Sequence, residues 1–80
     1  GDDSLSSLRK KTEQLKTSLA NKYFKLANRV FKTDLDAAIR YFDMTLKYQP
    51  NHVKAQQLKL RAITMRDNLN RIKKLNANSD

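Results

Sequence analysis

Eighty residues with a formal charge of +9 allow one small domain near the lower limit for a self-sufficient core, with attraction to acidic proteins, nucleic acid or anionic lipid. The absence of cysteine excludes disulfides and thiolate metal sites, and no apolar run approaches the roughly 20 residues a membrane span needs. One glycine, Gly1, and one proline, Pro50, leave the interior almost free of helix breakers, so the chain reads as all-α.

Gly1-Asp2-Asp3 reads as a cloning scar with a disordered start, and the chain as a piece of a longer protein. Ser4 is placed to cap a first helix, with Asp2 and Asp3 adding favourable charge beside its N-terminus. Leu5, Leu8, Thr12, Leu15, Leu19, Leu26 and Val30 then recur at steps that mark one apolar stripe, which predicts a helix over about 4–31. A tight turn follows at Lys32-Thr33. Thr33 or Asp34 caps a second helix, and Thr33 with Asp36 has capping-box spacing. Leu35, Ala38, Ile39, Phe42, Thr45 and Leu46 face inward on it. It is expected over 35–48, because the residue before Pro50 is pushed out of the helical region. Asn51 is placed to cap a third helix over 51–75. There Ala55, Leu58, Ala62, Met65, Leu69 and Ile72 step by 3, 4, 3, 4, 3, the pattern of a helix that packs along another. Residues 76–80 read as a disordered polar tail.

Unequal lengths follow. At 1.5 Å per residue the second helix spans roughly 21 Å, and its neighbours nearly twice that. Running antiparallel, it covers residues after about Ser18 on the first helix and before about Met65 on the third. Two overhangs remain, one carrying Leu5, Leu8 and Leu15, the other Leu69, Ile72 and Leu75. Apolar area left in water forgoes about 25 cal/mol per Å², so a second copy, adjacent repeats or a partner helix is expected to cover them. The charge is distributed to match: residues 1–32 carry +5, 33–52 carry −1 and 53–80 carry +5.

Two residue patterns lie on these helices. Tyr23, Leu26, Ala27 and Val30 place an aromatic, a leucine, a small and a bulky residue at helical spacing, and Ala38, Phe42 and Pro50 stand at A-x3-F-x7-P. Together they resemble one tetratricopeptide repeat, a helix–turn–helix unit of about 34 residues. The match spans about Tyr23 to Asn51, with the third helix opening a second unit. It departs from the family in a stretch between Ala27 and Ala38 one residue short, in Thr45 where alanine is usual, and in Lys59 where a small residue is usual. The resemblance implies three antiparallel helices, a non-enzymatic scaffold that binds a protein or peptide, and a concave groove. That groove would be lined by Phe24, Asn28, Phe31, Gln56, Leu60 and Ile63, with Lys32 and Arg61 at its rim. The competing reading is that these side chains seal the first helix against the third. Asn28 matches one asparagine of the family's carboxylate clamp, but Phe24 stands where a clamp lysine belongs, which sets that activity aside.

Three function classes follow, none of them enzymatic. The leading one is a protein-interaction module with an acidic partner; the second is homo-oligomerisation, as a homodimer through the overhangs. The third uses Arg9, Lys10, Lys11, Lys16, Lys22, Lys25, Arg66, Arg71, Lys73 and Lys74 against nucleic acid or an anionic membrane. It ranks below the others because the six aromatics fall on faces explained by packing and are not interleaved for base stacking. His52 is a lone histidine beside a helix cap, with no cysteine or clustered carboxylates for company. No cofactor, metal or small-molecule substrate is expected, and the chain reads as soluble, with the cytoplasm favoured.

Overall fold

A computed structural model of the chain describes residues 2–78, with side chains from 4 to 77. These residues form three helices with no strand among them: α1 (Asp2–Val30), α2 (Leu35–Tyr48) and α3 (Val53–Asn78). The fold is all-α, with a short middle helix between two long ones. α2 packs against both neighbours, while α1 and α3 scarcely touch each other. The particle measures 73 × 18 × 14 Å, and its radius of gyration of 17.8 Å exceeds the roughly 12 Å of a compact domain this size.

Each helix end has a local chemical cause. The α1 carbonyl ladder closes at Val30, whose oxygen accepts from the Thr33 and Asp34 amides at 3.0 and 2.8 Å. Asp34, in extended backbone geometry, caps α2: its Oδ1 accepts from the Ala37 amide at 3.0 Å. Thr33 is not the cap, because its hydroxyl turns back to the Val30 carbonyl at 3.4 Å. α2 stops at Tyr48, since Gln49 precedes Pro50 and leaves the helical region, at φ −136° and ψ 84°.

The outer ends differ from expectation. α1 already runs at Asp2, so Ser4 lies within the helix and is not its cap. α3 begins at Val53, and its cap is His52, not Asn51: the His52 Nδ1 accepts from the Ala55 amide at 3.1 Å. That bond requires the ring to carry its proton on Nε2. α3 then continues to Asn78, because Asn76-Ala77-Asn78 contains neither glycine nor proline to end it. Residues 76–78 are thus helical where a tail was expected; Gly1, Ser79 and Asp80 lie outside the described residues.

The core is built for close approach. Five of its seven buried hydrophobic side chains are alanines: Ala20 and Ala27 on α1, Ala38 on α2, Ala55 and Ala62 on α3. Small residues at helix crossings let axes come nearer than large side chains allow. Phe42 fills the remaining space and is fully buried. Thr45, also fully buried, donates its hydroxyl to the Tyr41 carbonyl at 3.0 Å, so its polar atom is satisfied inside its own helix.

Aromatic rings close the α1–α2 seam in two reciprocal three-ring sets, the phenylalanines tilted or edge-on and the tyrosines stacked. Phe24 of α1 and Phe31, the residue just past its end, seven apart, hold Phe42 of α2 between them at 6.0 and 6.1 Å. Tyr41 and Tyr48 of α2, also seven apart, hold Tyr23 of α1 at 6.2 and 6.1 Å. Such pairs contribute about 0.5–1.5 kcal/mol beyond their buried area. All six aromatic residues of the chain are used here.

Candidate interaction surface

The surface follows from the mismatch in helix length. α2 has 14 residues against 29 and 26 in its neighbours. Its C-terminal turn is tied to α1 at Thr17, whose Oγ1 accepts from Gln49 Nε2 at 3.2 Å. Beyond that tie, residues 4–16 of α1 are exposed, as are residues 67–77 of α3 at the other end. Leu5, Leu8 and Leu15 on α1, with Leu69, Ile72 and Leu75 on α3, are 48–63% exposed. Covering the area one such residue still exposes contributes roughly half of the 1.5–3 kcal/mol of a full burial. Thr12 sits within the α1 stripe, its hydroxyl folded back onto the Leu8 carbonyl at 2.9 Å.

The two stripes relate differently to α2. On α3 the line under α2 is Ala55 and Ala62, and its next seven-residue step is Leu69, so the buried track runs straight into the bare end. On α1 the corresponding line, Ala27 and Ala20, reaches the exposed Glu13. The α1 leucines lie on the adjoining flank, about 100° round the helix, above the half-buried Leu19 and Leu26.

Charges frame both stripes with one sign. Among the described side chains, the charged residues adjoining the α1 leucines are Arg9, Lys11 and Lys16; on α3, Arg66, Arg71, Lys73 and Lys74 adjoin the bare residues, and Lys54, Lys59 and Arg61 the covered part of the line. Under α2, two of these already have acidic partners. Lys59 pairs with Asp43, and Arg66 Nη1 with Asp36 at 3.4 Å. Both pairs join residues seven apart on antiparallel helices, a regular ladder that reading helices one at a time does not reveal. The shared seven-residue interval of Asp36/Asp43 and Lys59/Arg66 was its signal in the sequence.

The groove residues implied by the family resemblance are spread over α1, the α1–α2 turn and α3. Phe24 and Phe31 are half-buried and turned onto Phe42, and the Phe24 ring also meets His52 at a tilt, with centroids 4.6 Å apart. Gln56 Nε2 donates to the Pro50 carbonyl at 2.7 Å, which braces the α2–α3 turn. Asn28, Lys32 and Arg61 are exposed, Ile63 is half-buried, and Leu60 is 65% exposed. Of the repeat-pattern residues, Ala27, Ala38 and Phe42 are fully buried; Tyr23, Leu26 and Val30 are half-buried, and Pro50 is exposed in the turn.

Other site types find little to work with among the described residues. No group of three or more His, Asp or Glu side chains is arranged to hold a metal ion, and no helix is long and apolar enough to cross a membrane. The two surface depressions described, of about 230 and 370 Å³, are open troughs at the two turns. No family model matches this chain, and neither does any curated protein or solved structure.

Proposed function

We propose that this chain is a non-enzymatic interaction module, tetratricopeptide-like in plan, that binds a helix or peptide of another protein with acidic character. The observation that carries the reading is the pair of bare apolar stripes on the ends of α1 and α3. Their three- and four-residue spacing suits an amphipathic helix better than an extended peptide. Leucine anchors would supply the affinity, and the basic flanks would steer the encounter.

The same flanks argue against a second copy as occupant. Whether two α1 ends, two α3 ends or one of each were paired, basic side chains would face basic side chains. A single mass across a wide concentration range is therefore expected in solution. The direct test is affinity capture with the intact chain and with a variant carrying Leu8→Ser, Leu15→Ser, Leu69→Ser and Ile72→Ser. Captured proteins are then purified and rebound. Binding should be lost in the variant; equal binding by both proteins would remove the stripes from the mechanism.

A further inference from the structure

Resting on that reading, we infer that the α3 stripe takes an acidic amphipathic helix that prolongs the track of α2, with a carboxylate in register with Lys73. The molecule carries its own template for this contact. Along α3, Lys59 faces Asp43 and Arg66 faces Asp36, each step seven residues and about 10 Å along the axis. The next basic residue at that interval is Lys73. Its counterpart would lie seven residues before Asp36, but α2 begins at Leu35. Among the described residues no carboxylate stands within ion-pair distance of Lys73.

The apolar track repeats the same logic. Ala55 and Ala62 are covered by α2, while Leu69, next in line, is 48% exposed. A large residue where the covering helix stops suits an occupant set slightly farther from α3 than α2 is. The trough where the two would meet is lined by Lys32, Asp34 and Asp36 from one side and by Arg66, Leu69 and Lys73 from the other. A basic helix would bring like charges to Arg66 and Lys73, so the charge pattern selects an acidic one. The six aromatics are already committed to the α1–α2 seam, which weighs against a single-stranded nucleic acid as occupant.

The test uses the full chain carrying Leu8→Ser and Leu15→Ser, which leaves only the α3 stripe intact, and synthetic helical peptides about 20 residues long. One peptide has leucine at the heptad apolar positions and glutamate at the flanks. A second has lysine at the flanks, a third has glutamate flanks with serine in place of leucine, and duplex DNA is a fourth probe. The first peptide is expected to bind, and the second and third are not. Leu69→Ser with Ile72→Ser should weaken the first at least tenfold, and Lys73→Glu about fivefold. A peptide with one lysine at the facing position should recover that loss on the Lys73→Glu protein. If lysine- and glutamate-flanked peptides bind equally, or the charge swap recovers nothing, the register is wrong although the module still binds helices. If no leucine peptide binds, the proposed function falls with it. DNA binding tighter than any peptide and indifferent to Leu69→Ser with Ile72→Ser would overturn both.

Discussion

The middle of this molecule and its two ends use opposite side chains for the same geometric problem. Where α2 lies between its neighbours, the buried contact is made by five alanines, Ile39 and Phe42, with Val30, Leu46 and Leu58 half-buried against it; where α2 is missing, leucine and isoleucine stand in solvent. Leu5, Leu8, Leu15, Leu69, Ile72 and Leu75 lie where α2 does not cover them. Their position outside it separates two tasks, holding three rods together and offering the rods' ends to another molecule.

That contrast can be broken by substitution, and the largest effect belongs to the middle. Phe42→Ala should cost about 3–5 kcal/mol, because it empties the space between Phe24 and Phe31. For a domain of this length total stability is about 4–12 kcal/mol, so urea titration should show a large loss of folded protein. Ala27→Leu tests close approach, and forcing the α1–α2 crossing apart should cost about 1–3 kcal/mol in the same titration. Asp34→Ala removes the α2 cap and should cost about 0.5–2 kcal/mol, with Asp34→Asn largely retaining it, as read from thermal melts. At the ends, Leu8→Ser with Leu15→Ser should change the unfolding free energy little, by about 0.5 kcal/mol per site in the same urea titration. A loss comparable to that of Phe42→Ala would mean the stripe is not bare, and the comparison would collapse.

Much of the architecture was legible because it rests on local rules. Pro50 and the acidic cap at Asp34 bracket α2 at 35–48, and the three- and four-residue apolar steps extend its neighbours well past it. The third helix's cap was not legible, since histidine is outside the usual set of capping residues. His52 takes the role because Phe24 of α1 supports its ring at 4.6 Å, a contact made only once the chain has folded back. The faces of Phe24 and Phe31 were ambiguous for a related reason: periodicity puts them on one side of α1 but does not say which neighbour they meet. Lys59, odd as a residue in a small-residue place, is explained by Asp43 across the helix pair. Relations between helices, unlike helix limits, need the register between them.

The tyrosine sandwich has a practical consequence for watching this molecule at work. The chain has no tryptophan, so its ultraviolet emission comes from Tyr23, Tyr41 and Tyr48, stacked in a single file across the α1–α2 seam. That natural signal reports whether the hairpin is shut and is silent about the leucine-bearing tips. A ligand carrying its own indole could then be excited selectively, against a dark background, while the tyrosines independently certify that the protein beneath it stays folded.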